Sequence, residues 1–142
     1  MRKSIFFLLL TVLLSMAGAK AFAHDIEVAN ADGVTIYYVW TNNNTELEVS
    51  YRGNYPSSYS QYKYKGNIVI PASVTYKSKV YNVTSISGSA FCDCSELTSV
   101  TIPNSVTSIG GEAFRDCHAL TSITAGLTKT VQTWPRGWFH IP

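Results

Sequence analysis

Beyond the first two dozen positions, apolar and polar residues alternate with a period of two in several short stretches. Val34, Ile36, Tyr38 and Trp40 fall on one face, with Thr35, Tyr37 and Val39 on the other, which predicts a strand half turned toward a core. Thr41-Asn42-Asn43-Asn44 is turn chemistry, and Glu46-Leu47-Glu48-Val49-Ser50-Tyr51 resumes the alternation, so residues 25–51 read as strands in a hairpin. Val74, Tyr76, Val80 and Tyr81 flank a polar turn at Lys77-Ser78-Lys79 and predict a second, smaller hairpin. Ser, Thr, Asn, Tyr and Val dominate, which favours strands and turns over helices. The fold class expected is mainly β.

A second pattern lies over the first. Val83-Thr84-Ser85-Ile86 recurs 23 residues later as Val106-Thr107-Ser108-Ile109. The same offset carries Ala90-Phe91 onto Ala113-Phe114, Asp93 onto Asp116, Cys94 onto Cys117 and Leu97-Thr98-Ser99 onto Leu120-Thr121-Ser122. Leu97, Val100 and Ile102 form L-x-x-L-x-L, in which the strand residues point into a coil. Pro103 ends that strand because it has no amide proton for a ladder. Gly110-Gly111 is expected to permit a turn that other residues resist. Ile68-Val69-Ile70-Pro71-Ala72-Ser73-Val74 aligns with residues 100–106 as a partial earlier copy, after which the small hairpin interrupts the register. One coil cannot bury its apolar face alone; stacked coils can.

The run Ile102-Pro103-Asn104-Ser105-Val106-Thr107-Ser108-Ile109-Gly110-Gly111-Glu112-Ala113-Phe114-Arg115-Asp116-Cys117 resembles the BspA-type leucine-rich repeat of bacterial surface antigens. The lead-in from Ile70-Pro71-Ala72-Ser73-Val74 to Tyr81-Asn82-Val83-Thr84-Ser85-Ile86 is similar to the opening of many such proteins, and the resemblance covers roughly residues 25–124. It implies a short solenoid, secretion or display at a bacterial surface, adhesion to host or bacterial surface proteins, and no catalytic residues. The expected organisation is a signal peptide (1–23), a β-rich N-terminal cap (24–66), repeats (67–124) and an irregular tail (125–142). The repeats divide into a partial copy (67–82) and two fuller ones (83–105 and 106–124).

The two ends set the remaining expectations. Arg2 and Lys3 precede an apolar run at 5–14, too short to span a bilayer comfortably, and Ala21-Phe22-Ala23 fits the small-x-small cleavage rule. Cleavage is expected after Ala23, with Ala19 as the alternative site and an uncleaved anchor as the competing reading. Arg2, Lys3 and Lys20 leave with this segment. Eight basic residues then face nine acidic ones, so the basic balance of the whole chain gives no support to nucleic-acid binding. The tail after Thr124 shows no repeat register and carries Trp134, Trp138 and Phe139; a short cap and a truncated longer array are both open readings. Two coils and a partial one sit near the roughly three repeats that an array needs, so marginal stability or self-association through an uncapped end coil is expected.

Candidate chemistry is sparse. Residues 51–64 gather Tyr51, Tyr55, Tyr59, Tyr62 and Tyr64, with Lys63 and Lys65 nearby and Lys77 and Lys79 close in sequence. Tyrosine offers a flat apolar ring with a polar tip, which suits protein or glycan recognition, and the competing reading packs these rings under the cap. A second candidate surface is the strand ladder, where Asn67 and Val69, Ser99 and Thr101, and Ser122 and Thr124 should point outward on successive coils; a merely solvated face competes with it. Cys94 and Cys117 occupy equivalent repeat positions and suit core packing. A disulfide between them, or a metal site with Cys92 and His118, are the alternatives, and Cys92 is expected to be the exposed thiol. Asn43-Asn44-Thr45 and Asn82-Val83-Thr84 match the glycosylation sequon, a pattern short enough to arise by chance. No G-x-S-x-G elbow, H-E-x-x-H, P-loop or dinucleotide fingerprint occurs, and no cofactor is expected. The expected function is adhesion or protein–protein interaction, with a carbohydrate-binding accessory module or a non-functional fragment of a longer surface protein as the alternatives.

Overall fold

The computed structural model describes residues 24–53 and 63–126. The expected signal peptide, Tyr55, Tyr59, Tyr62 and the tail from residue 127 lie outside the described residues. Among the described residues there are nine strands and no helix: β1 (Ile26–Ala29), β2 (Thr35–Thr41), β3 (Glu46–Ser50), β4 (Gly66–Val69), β5 (Ser73–Tyr76), β6 (Lys79–Ile86), β7 (Leu97–Ile102), β8 (Ser108–Ile109) and β9 (Ser122–Ala125). They form two sheets, one ordered β1-β2-β3-β6-β5 with β8 also paired to β6, the other ordered β4-β7-β9. A shared core lies between the sheets, holding Ile36, Tyr38, Leu47 and Val49 from the N-terminal strands and Ile68, Val83, Ile86, Leu97 and Val100 from the coils.

The turns between the N-terminal strands follow from local chemistry. Asn42, Asn43 and Asn44 all take positive φ, between 47° and 63°, a region asparagine tolerates better than most residues. The Thr45 hydroxyl closes that turn by donating to the Asn42 carbonyl at 2.6 Å. Between β1 and β2, the Asn30 carboxamide oxygen accepts from the backbone N–H groups of Asp32 and Val34. Lys77 and Ser78, at φ 48° and 65°, make the two-residue turn joining β5 to β6; Lys79 belongs to the strand.

β1, β2 and β3 pair antiparallel, but β3 then pairs parallel with β6, Leu47 opposite Val83 and Val49 opposite Ile86. β6 continues in parallel to β8, with Ile86 opposite Ile109. The N-terminal strands therefore cover the first coil by supplying a rung in register with it. Leu47 and Val49 carry the same inward pattern as Val83 and Ile86, across a register shift beside Leu47 and Glu48. On the other side, Ile68 sits opposite Val100 and Val100 opposite Ile123, in the alignment that the repeat implies. The small hairpin is formed by β5 and β6, with Val74 opposite Tyr81 and Thr75 opposite Val80, and Val80 is 61% exposed.

Coil stacking extends beyond the strands. The N–H groups of Ser89, Phe91 and Asp93 donate to the carbonyls of Gly111, Ala113 and Arg115 at 3.0, 2.7 and 2.8 Å. The positive-φ residues of these turns are Ser89 and Asp93 in one coil and Glu112 and Asp116 in the next, 23 residues on. Neither Gly110 nor Gly111 takes positive φ, so the turn expected at that pair has a different cause. Gly110 is required by close approach: a Cβ there would lie 2.2 Å from the Gly88 nitrogen and 2.7 Å from its Cα. Inside the stack, Tyr64, Phe91 and Phe114 form an aromatic column, with centroids 4.7 and 5.0 Å apart and the two Phe rings within 6° of parallel.

Candidate functional site

The outer face of the β4-β7-β9 sheet carries three aligned rungs. Asn67 is opposite Ser99 and Ser99 opposite Ser122; Val69 is opposite Thr101 and Thr101 opposite Thr124. Alternation turns Ile68, Val100 and Ile102 into the core and these six residues outward. Strands of a ladder stand about 4.8 Å apart, so the rungs form a flat grid of short side chains. Asn67 uses its carboxamide oxygen to accept from the Ser99 hydroxyl at 2.9 Å and the Thr98 hydroxyl at 2.8 Å, and Ser99 is half-buried. Thr101, Ser122 and Thr124 are exposed, and among the described residues their hydroxyls form no hydrogen bond within the protein. Val69, 42% exposed, adds an apolar contact at one end of the grid. The Asn30 side chain donates to the Val69 carbonyl at 2.9 Å and occupies part of the β4 edge.

The tyrosine cluster fares differently. Tyr64 is 5% exposed and belongs to the core. Its hydroxyl accepts from the Tyr37 N–H at 3.0 Å and donates to the Ser50 carbonyl at 2.8 Å, a wedge at the end of the β2–β3 ladder. Burial pushes its hydroxyl pKa well above the usual tyrosine range. Tyr64 thus presents no surface to a partner, which corrects its placing among the binding candidates. Tyr51 is half-buried, and Tyr55, Tyr59 and Tyr62 lie outside the described residues.

The cysteines are free thiols, and all three are buried. Cys92, expected to be exposed, is 3% accessible. Cys117 Sγ lies 3.0 Å from the Phe91 carbonyl oxygen, a contact between neighbouring coils. Burial pushes the Cys94 thiol up to about 11 and the Cys117 thiol up to about 12, and raises Cys92 with help from the Asp93 carboxylate. Buried thiols with raised pKa values fit core packing. Among the described residues no group of three His, Cys, Asp or Glu is arranged to hold a metal ion.

One cluster escapes sequence reading. Trp40 from β2 meets Tyr81 from β6 at 4.6 Å and Tyr76 from β5 at 6.1 Å, both edge to face. Alternation places Trp40 in one hairpin and Tyr76 and Tyr81 in the other. Only the β3–β6 pairing, which leaves no short-range signal, brings the two hairpins together.

Coils stacked in parallel, an outward grid of hydroxyls and an inward L-x-x-L-x-L pattern together describe a leucine-rich repeat. A family model described as BspA type Leucine rich repeat region (6 copies) matches residues 59–140, more than half of the chain. The chain belongs to the BspA-type leucine-rich repeat family. The tail after Thr124, which lacks a visible repeat register, falls inside the matched stretch as far as residue 140. Similar solved structures include a leucine-rich repeat protein from Bacteroides ovatus, 34% identical with a TM-score of 0.51, matched over 62% of this chain and 21% of that one. A leucine rich cell surface protein from Faecalibacterium prausnitzii is 29% identical with a TM-score of 0.51, over 74% of this chain and 24% of that one. A leucine-rich repeat protein from Bacteroides capillosus is 25% identical with a TM-score of 0.54, over 71% and 66%. The chain thus spans only about a quarter or less of the first two. None of the curated proteins matches it. BspA-type repeats are typically scaffolds for protein–protein interaction without catalysis of their own. No helix among the described residues is long and apolar enough to cross a membrane.

Proposed function

We propose that this chain is an exported adhesion module that holds a protein partner at the bacterial cell surface through the outer face of β4, β7 and β9. The observation that carries the proposal is the grid of Thr101, Ser122 and Thr124, whose exposed hydroxyls are uncommitted, flanked by exposed Val69. A preformed flat surface of this kind loses little side-chain entropy on binding, because Ser, Thr and Val have few rotamers to freeze. Export is supported by the basic start, apolar run and small-x-small site within residues 1–23. A surface location is supported by the Faecalibacterium relative, which is described as a cell surface protein.

The full chain expressed in a Gram-negative host should reach the envelope with His24 as its new first residue, read by N-terminal sequencing. The purified product should bind intact bacterial or epithelial cells, and protease treatment of those cells should remove the binding. Thr101→Arg/Thr124→Arg should weaken it by about tenfold or more, since bulky charge would stand where short hydroxyls meet the partner. Unchanged binding by that variant, or binding that survives protease treatment of the cells, would overturn the proposal.

A further inference from the structure

The β5–β6 hairpin carries two cations that have no carboxylate partner among the described residues. Lys77 Nζ lies 5.2 Å from the Tyr76 ring centroid and Lys79 Nζ lies 5.0 Å from that of Tyr81. Among the described residues neither lysine forms an ion pair. Lys77 and Ser78 form the tight two-residue turn, both at positive φ, and Lys79 opens β6, so the hairpin's geometry is fixed. The two rings rest against Trp40, and all three are half-buried, so the cluster is anchored in the core and still has open surface. Tyr76 also lines an open cavity of about 280 Å³, together with His24, Asp25, Glu27 and Arg52.

Each of these features constrains the ligand. A lysine held over a ring has given up part of the rotamer freedom that makes exposed charges poor binders, so an anion meets a partly ordered pair of ammonium groups. Aromatic rings suit the apolar face of a sugar. The adjoining cavity is lined by the carboxylates of Asp25 and Glu27, which can accept from sugar hydroxyls, Asp25 Oδ2 also accepting from the Trp40 backbone N–H at 2.8 Å. Its volume falls just below the roughly 300 Å³ at which pockets for drug-sized ligands begin, a size that suits one sugar ring. Polyglutamate has no ring to lay against the aromatic cluster, which separates it from a saccharide of the same charge.

We infer that the Lys77–Lys79 hairpin tip, the Trp40–Tyr76–Tyr81 cluster and the adjoining cavity form a binding site for an anionic saccharide, a sugar chain bearing sulfate or uronate groups. This site uses none of the residues on the β4-β7-β9 face, and the failure of either proposal leaves the other standing.

Isothermal titration of the purified exported chain with heparin and with oligogalacturonate at low salt tests the inference. Dextran serves as the neutral glycan and polyglutamate as the acidic peptide. Binding to at least one anionic glycan is expected, weakening as salt is raised, with none to dextran and about tenfold less to polyglutamate. Lys77→Gln/Lys79→Gln should lose about tenfold in affinity with an unchanged thermal midpoint, and Lys77→Arg/Lys79→Arg should restore it. No binding to either anionic glycan, or equal binding by the Gln variant, would overturn the site. Equal or tighter binding of polyglutamate would overturn its saccharide character and leave an acidic peptide as the ligand.

Discussion

Replacing Gly110 by Ala tests how the coils are spaced. The added methyl would stand 2.2 Å from the Gly88 nitrogen and 2.7 Å from both Gly88 Cα and the Ser87 carbonyl carbon. All three are backbone atoms, so no side chain can swing aside. Reaching ordinary van der Waals contact requires the coils to part by about 1 Å at this point. Two backbone hydrogen bonds cross the same seam, Gly110 N–H to the Ile86 carbonyl at 2.7 Å and Ser89 N–H to the Gly111 carbonyl at 3.0 Å. Loss of both costs about 2 kcal/mol, and overpacking of a tight site adds at least 1 kcal/mol. The total of about 3 kcal/mol corresponds to a thermal midpoint lowered by about 15 °C for a domain of this size. Gly88→Ala is the matched control, since its methyl would meet the Gly111 carbonyl oxygen at a tight 3.3 Å that small adjustments relieve. Urea melts followed by far-ultraviolet circular dichroism measure both variants. A Gly110→Ala variant within about 0.5 kcal/mol of the parent, or no worse than Gly88→Ala, would refute the spacing argument.

Tyr64→Phe should cost about 2 kcal/mol in the same melts, because the Tyr37 N–H and Ser50 carbonyl both lose the hydroxyl that joins them; a loss under about 0.5 kcal/mol would show that the wedge is dispensable. Alkaline pH should also destabilise the fold. Buried Cys94 and Cys117 hold their protons up to about 11 and 12, against about 8.5 for an unfolded thiol. The folded state binds the protons more tightly, so this stability is fully present below about pH 8.5 and is lost as pH rises through 11 and 12. The raised Tyr38 and Tyr64 hydroxyls act in the same sense. A urea midpoint that stays flat from pH 8.5 to 11 would contradict it.

The repeat was the most legible part of the sequence, because a 23-residue offset places equivalent residues in equivalent backbone settings. Ile68, Val100 and Ile123 stack as the alignment implies, and so do the outward residues beside them. What escaped depends on contacts between coils or between distant strands. Gly110 looks like a turn residue, but its constraint is the Gly88 backbone in the previous coil. In the coil turns the left-handed positions are held by Ser89, Asp93, Glu112 and Asp116; Asp is enriched in that region, but Ser89 and Glu112 carry no strong sequence mark for it. Cys92 aligns with exposed Arg115 but is buried, where Lys63 reaches across to its carbonyl at 2.7 Å. β3 carries no repeat motif, and its parallel pairing with β6 places Leu47 and Val49 beside Val83 and Ile86 and is joined by hydrogen bonds from Thr84 to Glu46 and from Ser85 to Glu48. The hydroxyl grid was visible from the repeat, while the Trp40–Tyr76–Tyr81 cluster became visible only through that pairing.

Site-specific photo-crosslinking tests the proposed interaction face most directly. A photoreactive phenylalanine at Thr101 or Thr124, on the β4-β7-β9 face, is compared with one at Thr107 or Ser108, exposed positions just before and at the start of β8. After binding to intact cells and illumination, the account predicts a discrete protein adduct from positions 101 and 124 and none from 107 and 108. Adducts of equal yield from both sets, or from 107 and 108 alone, would contradict it.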